Sequence, residues 1–252
     1  EKCMEVYQAL KRLLTISGYQ TGVGDDGGFV PDLRNSEEAL EFIMEAMILC
    51  GYEPGKDMCL AIGAGAGSLF DEGTGFYQFK GESRMTGVPV ERDRNDMIGF
   101  YIRLLDGYPV CAVFDGLAEA DADGWGMLTK MLGNRAVFIG QHKNREPGCL
   151  KPGERDWACL ADWDGVEENA AGISMCGAKS VTAAMEMADL AKRNGLKLAV
   201  SQGYGETEDP YAADFAAAVN ADWIRAGAPC RSERTSKYNE LLRIEEWMKV
   251  RI

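Results

Sequence analysis

A handful of side chains carry whatever chemistry this sequence could do. Asp26 lies in a glycine-rich run, Gly22-Val-Gly-Asp-Asp-Gly-Gly28. Asp115 follows Val113-Phe114, and His142 is the only histidine. Cys176 ends Ile173-Ser-Met-Cys, and Arg225 sits within Trp223-Ile-Arg-Ala-Gly227. A carboxyl group such as Asp26 can pass a proton. A thiolate at Cys176 could accept one, but it needs a neighbouring cation to be ionised near neutral pH. Cys176 therefore reads either as a reactive thiol or as a packed strand-end cysteine. His142 has no obvious partner ligands and reads either as a metal ligand or as a solvated or hydrogen-bonded loop residue. Asp115 reads as a strand-end carboxylate satisfied by backbone or by a cation. Arg225 supplies a permanent cation, a modest anion anchor when alone.

The elements that must position these residues alternate regularly. Val6, Leu10, Leu13 and Leu14 are spaced for a helix over Met4 to Ile16. A second helix starts at Asn35 or Ser36 as cap, carries Glu37 and Glu38 in its first turn, and runs an apolar stripe through Leu40, Ile43, Met44 and Met47 to Gly51. Six short runs rich in Ala, Val, Ile and Leu predict strands near 58–63, 109–114, 136–140, 171–176, 197–201 and 222–226, the type buried on both faces of a parallel sheet. Helices are expected over 92–106, 121–132, 180–194, 209–219 and 232–248. Strand followed by helix, repeated six times, favours a (β/α) barrel or a doubly wound sheet. Two stretches are expected to be irregular, Asp71 to Pro89 and Asn144 to Asn169. With no obvious linker, residues 1–252 read as one domain.

Composition narrows the partners. The chain has 252 residues, 46% hydrophobic residues and a net charge of -13, enough for a sizeable core and unfavourable for binding nucleic acid or an anionic membrane. No apolar run approaches the roughly 20 residues of a membrane span, and the first residues have no signal-peptide layout, so a cytoplasmic protein is expected. The eight cysteines, at positions 3, 50, 59, 111, 149, 159, 176 and 230, form no Cys-x-x-Cys pair. They read as buried free thiols in a reducing compartment.

Five motifs, in order, resemble the enolase (phosphopyruvate hydratase) family: Val6-Tyr-Gln-Ala-Leu10; Val23-Gly-Asp-Asp-Gly-Gly-Phe-Val-Pro-Asp-Leu33, similar to a loop that usually reads G-D-E-G-G-F-A-P-N; Tyr108-Pro109 leading to Asp115-Gly-Leu117; Gly205-Glu-Thr-Glu-Asp209; and Ser232-Glu-Arg-Thr-Ser-Lys-Tyr-Asn239. The resemblance implies an enolase-type (β/α) TIM-like barrel, here a partial one lacking the N-terminal α+β domain and the first two barrel strands. It also implies open sheet edges that would meet a second copy, a missing N-terminal segment or another chain.

What the resemblance implies about chemistry is mostly loss. The family interconverts 2-phosphoglycerate and phosphoenolpyruvate with Mg²⁺ held by three strand-end carboxylates, and those positions fall on Gly63, Phe114 and Gln141. The lysine base corresponds to Cys176. Asp26 takes the place of the second-step acid, one methylene shorter. Gln202 replaces a substrate-site histidine in Ser201-Gln-Gly-Tyr-Gly-Glu-Thr207, where the phosphate-clamping arginine is also gone. Arg225 replaces the substrate-binding lysine, and Arg243 matches a dimer-interface arginine or pairs locally with Glu240 or Glu246. The expectation is a catalytically inactive enolase-like protein without a metal cofactor. The alternatives are a diverged lyase or isomerase using Asp26, Cys176, His142 and Arg225, and residual Mg²⁺-dependent activity when the missing part is supplied.

Overall fold

The computed structural model describes residues 1–140, 169–175, 177–178, 180–201, 203 and 205–251. Gln141, His142, Cys176, Gln202 and nearly all of the expected irregular stretch from Asn144 lie outside them. The described chain divides into two compact units. One comprises 1–21, 31–140 and Asn169; the other comprises 22–30 and the described residues from Ala170 onward.

In the first unit, α1 (Lys2–Ile16) and α2 (Ser36–Leu49) pack on each other. Their expected stripes are the buried ones: Val6, Leu14, Leu40 and Met47 are inside, with Leu10, Leu13, Ile43 and Met44 packed against them. Asn35 is the cap of α2, its side chain accepting the Glu38 N–H at 2.9 Å. Strand β1 (Leu60–Gly63) follows, then a small antiparallel sheet of β2 (Phe70–Asp71), β3 (Phe76–Gln78) and β4 (Glu91–Arg92), with α3 (Lys80–Thr86) between the last two. Next come α4 (Arg94–Gly107), β5 (Val110–Phe114), α5 (Ala122–Leu132) and β6 (Val137–Gly140). Strands β1, β5 and β6 are parallel. Asn169 accepts the Phe138 N–H at 2.7 Å and donates to the Gly133 and Ala136 carbonyls at 3.0 and 3.2 Å, which ties the entry to β6.

The second unit contains β7 (Ala170–Ser174), α6 (Val181–Arg193), β8 (Lys197–Ser201), α7 (Tyr211–Ala218), β9 (Trp223–Arg225) and α8 (Ser232–Arg251). Its three strands are parallel and run in chain order. Ala171, Ile173, Leu198, Val200, Ala184 and Phe215 make its core. Because helices alternate with the short, mostly apolar strands of the parallel sheet, both units are built from βα repeats, the α/β class and partial barrel pattern that the sequence implies.

Two expectations are corrected. The stretch from Asp71 to Pro89 is not irregular: it holds β3, α3 and part of a three-stranded sheet. Those strands have two or three residues, too few for an alternating pattern, and the turn between β2 and β3 is built by Asp71, whose Oδ1 accepts the Gly73 and Thr74 N–H groups at 2.9 and 3.3 Å. The described cysteines are free, but Cys3, Cys59 and Cys111 are exposed rather than buried, and Cys50 and Cys230 are half-buried. Cys111 illustrates the reason: on β5 it points out while Val110 and Ala112 point in.

Candidate functional site

Register decides which residues stand together at the C-terminal ends of the strands, where barrel active sites form. In the first unit Gly63 pairs with Phe114, and Phe114 with Ile139. Two of the aligned metal positions are thus direct neighbours, and neither supplies an oxygen from a side chain. Phe114 is 6% exposed. Gly63 lines an apolar cleft of about 300 Å³ whose walls include Leu40, Ile62, Met97, Phe100 and Tyr101. The third position, Gln141, lies outside the described residues.

Asp115 directly follows Phe114, where the strand ends. Its φ of 51° is left-handed, its N–H donates to the Ile139 carbonyl at 2.8 Å, and its carbonyl accepts the Ala66 N–H at 2.9 Å. A positive φ at a non-glycine residue is uncommon and marks a forced turn. The chain then passes Gly116, whose carbonyl accepts the Tyr101 hydroxyl at 2.7 Å. Burial, then the Tyr77 hydroxyl, and to a lesser extent the Asp115 charge push the Tyr101 phenol up, while Arg92 acts the other way.

Over this end of the unit lies the antiparallel sheet, fixed by a buried polar node. Tyr77, fully buried, donates its hydroxyl to Asp121 Oδ2 at 3.1 Å and accepts the Ala118 N–H at 3.1 Å. Asp121, 4% exposed, caps α5 through the Gly124 N–H at 3.2 Å and pairs with Arg94. The Trp125 indole N–H reaches the Ala118 carbonyl at 3.1 Å. Arg92 stacks 3.7 Å from the Phe79 ring centre and 4.8 Å from that of Phe100 while pairing with Glu82 at 2.7 Å. Beside the sheet opens a polar groove of about 730 Å³, lined by Asp32, Arg34, Asp71, Lys80, Glu82 and Arg84 among others.

The second unit presents a different row: Ser174 pairs with Ser201, and Ser201 with Arg225. Arg225 is exposed at the end of β9. Cys176 and Gln202 follow Ser174 and Ser201 in the chain but lie outside the described residues. Asp26 is exposed in the glycine-rich loop, and its Oδ1 is used by its own loop, accepting the Gly28 N–H at 2.9 Å. That loop docks on the segment after Arg225, the Asp26 carbonyl accepting the Ala228 N–H at 2.8 Å. The approach leaves no room for side chains. At Gly227 (φ +83°) a Cβ would lie 2.6 Å from the Asp26 carbonyl oxygen, and at Gly27 (φ +78°) 2.7 Å from that of Cys230.

Beneath these loops two buried cations on α8 do the positioning. Arg234, 2% exposed, donates Nε to the Asp25 carbonyl at 3.1 Å, one terminal nitrogen to Asp25 Oδ2 at 2.7 Å and the other to the Gly203 carbonyl at 3.4 Å. Asp25 also accepts the Gly205 N–H at 3.2 Å. Lys237, fully buried, reaches the Thr207 carbonyl, the Glu233 carbonyl at 2.7 Å and Glu206 at 3.3 Å, and Glu206 accepts the Gly203 N–H at 3.0 Å. Tyr238 donates to the Gly227 carbonyl. The sequence marks Arg234 and Lys237 only as part of a run entering the last helix; their spacing of three, which puts both on one helix face, is the signal for a shared task. Arg243 pairs with Glu240.

Among the described residues, no group of three or more His, Cys, Asp or Glu side chains is placed to hold a metal ion, and no helix is long and apolar enough to cross a membrane. The protein-family model described as enolase, C-terminal TIM barrel domain, matches residues 1–251, and the chain belongs to that family.

Proposed function

We propose that this member of the enolase family has no phosphopyruvate hydratase activity and acts as a binding or structural protein. The pairing of Gly63 with Phe114 carries this reading. Forming an enolate from a carboxylate substrate concentrates negative charge that the family neutralises with Mg²⁺, a hard cation that demands oxygen ligands in near-octahedral array. The residues present do not fit that ion: a glycine and a buried phenyl ring line up where carboxylates are needed, and the cleft at Gly63 has apolar walls. Asp115 is held in a left-handed turn by two backbone hydrogen bonds, which argues against its moving into the neighbouring position.

Asp26 and Arg225 are the described polar groups left for any diverged lyase or isomerase reaction. Asp26 Oδ1 is engaged with the Gly28 N–H, so a proton relay through this residue would run through Oδ2. Strands β1 and β9 each have one described strand neighbour, and we extend the proposal to them as edges suited to pairing with a second polypeptide. A cytoplasmic setting is consistent with the free thiols.

The test is the ultraviolet absorbance of phosphoenolpyruvate formed from 2-phosphoglycerate with Mg²⁺, using protein purified from a host whose own enolase is removed or inactivated. The expected result is no turnover above background. Removing one preorganised electrostatic group from an active site commonly lowers rate by about a hundredfold or more, and here several are replaced together. Turnover within about a hundredfold of an ordinary enolase would overturn the reading.

A further inference from the structure

The polar groove beside the antiparallel sheet is walled by three segments of the first unit. The chain entering α2 supplies Asp32 and Arg34, the β2–β3 hairpin supplies Asp71 and Glu72, and α3 supplies Lys80, Glu82 and Arg84. These walls are fixed from behind. The Phe79 N–H donates to the Val90 carbonyl at 2.9 Å, Ser83 Oγ accepts the Val90 N–H at 2.8 Å, and Arg92 pairs with Glu82 at 2.7 Å, so α3 is tied to the start of β4. Part of the lining charge does this holding. Asp71 serves its own turn through Oδ1 and accepts the Gln78 amide on Oδ2 at 3.1 Å, Glu82 is taken by Arg92, and Arg34 pairs with Glu38 at 3.0 Å.

What remains is of both signs. Lys80 and Arg84 on α3, Asp32 before α2 and Glu72 on the hairpin are exposed, and none of the four makes an ion pair among the described residues. Arg84 commits only Nε, to the Lys80 carbonyl at 3.4 Å, so both of its terminal nitrogens lack a protein partner. Lys80 and Arg84 stand at i,i+4, where like charges repel, and an anionic group between them relieves that repulsion. A polyanion, however, would also meet Asp32, Glu72 and a chain charge of -13. A cation alone would leave Lys80 and Arg84 unanswered. The volume of about 730 Å³ is that of a small-molecule site, and Phe70, Phe79 and Met85 add apolar surface to it.

We propose that the groove binds a small zwitterion with an apolar side chain, of the amino-acid or short-peptide class. Its carboxylate is taken by Lys80 and Arg84, the latter with two parallel N–H donors, and its ammonium by Asp32 and Glu72. The groove is lined by neither Gly63 nor Phe114, so the inference stands or falls separately from the absence of hydratase activity.

The native full chain is titrated calorimetrically with L-phenylalanine and with the dipeptide alanyl-phenylalanine, and with the N-acetyl and C-terminal amide forms of each, which lack one charge. Expected is saturable binding of at least one zwitterion, with both of its charge-deleted forms about threefold weaker or more. Binding of phenylalanine would assign a free amino acid, and binding of the dipeptide alone a peptide. Lys80→Gln, Arg84→Gln and Glu72→Gln, all at exposed positions, should each weaken the zwitterion by about threefold. Lys11→Gln, exposed on α1 outside the groove, should bind as the wild type does. No saturable binding of either zwitterion, equal binding of a form lacking one charge, unchanged affinity in the groove variants or an equal loss in Lys11→Gln would overturn the proposal.

Discussion

At the C-terminal ends of their strands the two units carry contrasting rows. Gly63, Phe114 and Ile139 make an apolar one, and Ser174, Ser201 and Arg225 a polar one. The contrast extends below the rows. In the second unit the loops beside the row are held by buried Arg234 and Lys237, which together satisfy the Asp25, Gly203 and Thr207 carbonyls and two carboxylates. In the first unit the polar node is that of buried Tyr77 and Asp121 with half-buried Arg94, at the antiparallel sheet. A charged network survives where loop geometry depends on it. The described strand ends of the first unit, Gly63, Phe114 and Ile139, carry no polar side chain.

The largest effect is expected at Arg234. Arg234→Met should lower stability by about 3 kcal/mol, since the side chain is buried and its removal leaves two carbonyls without that donor, while the exposed Asp25 carboxylate keeps only the Gly205 N–H. Lysine should not rescue it, because it lacks the planar fork. Urea unfolding gives the magnitude. Hydrogen exchange locates it: amides in 22–30 and 203–209 should exchange faster while β1, β5 and β6 keep their protection. An unchanged urea midpoint would mean the network merely decorates the loops.

Tyr77→Phe probes the corresponding node of the first unit. The substitution keeps the ring and removes one hydroxyl, leaving the buried Ala118 N–H without that acceptor and Asp121 without one of its donors. A cost of about 1–3 kcal/mol is expected, smaller than at Arg234 because Asp121 retains Arg94 and the Gly124 N–H. A neutral result would show that the antiparallel sheet is held by the Arg92 stack alone.

Much of this architecture is legible in the sequence. The strands near 109–114, 136–140 and 197–201 declare themselves because parallel strands buried on both faces are continuous apolar runs, whereas β1 has Ala61 and Gly63 exposed and shows the run without that burial. The helices declare themselves by their caps and stripes. The antiparallel sheet did not, because β2 and β4 have two residues each. The substitutions at Gly63 and Phe114 could be read from motif order, but their direct pairing is a matter of register, set by a bulge that no local pattern encodes. For the same reason the alignment of Ser174 and Ser201 with Arg225 was invisible. The exposure of Cys111 was available in principle, since strand alternation places it opposite Val110 and Ala112.

Acid titration should move stability by less than these mutations. In the first unit Glu38 is 7% exposed and receives the Arg34 guanidinium at 3.0 Å, the Arg34 backbone N–H at 2.7 Å and the Tyr19 hydroxyl at 2.9 Å. Those bonds, led by the guanidinium, hold its carboxyl below the usual range against the opposing effect of burial. The folded pKa is therefore the lower one. Its contribution is complete above the unfolded value near 4.5 and is lost as pH falls through the folded value. The exposed Arg34 limits the size to under about 1 kcal/mol. Glu38→Gln should remove this part of the pH dependence, which lies on the acid side of the unfolded value, and identical profiles for both chains would refute it.

The smallest expected effect is none, and it bears most directly on the contrast between the two rows. A ligand present at about a hundred times its dissociation constant stabilises the native state by about 2.7 kcal/mol, readily seen in thermal unfolding. Mg²⁺ at millimolar concentration should produce no shift beyond that of NaCl at equal ionic strength, because Gly63 and Phe114 offer it no side-chain oxygen and the Asp115 backbone is held in place by its two hydrogen bonds. Comparing wild type with Asp115→Asn makes the result specific. A Mg²⁺-dependent rise of several degrees that disappears in that variant would mean the first unit has rebuilt a cation site one residue along the chain. The apolar row would then be a displaced site rather than a lost one. A rise that persists in the variant would place the ion elsewhere and leave the contrast between the rows intact.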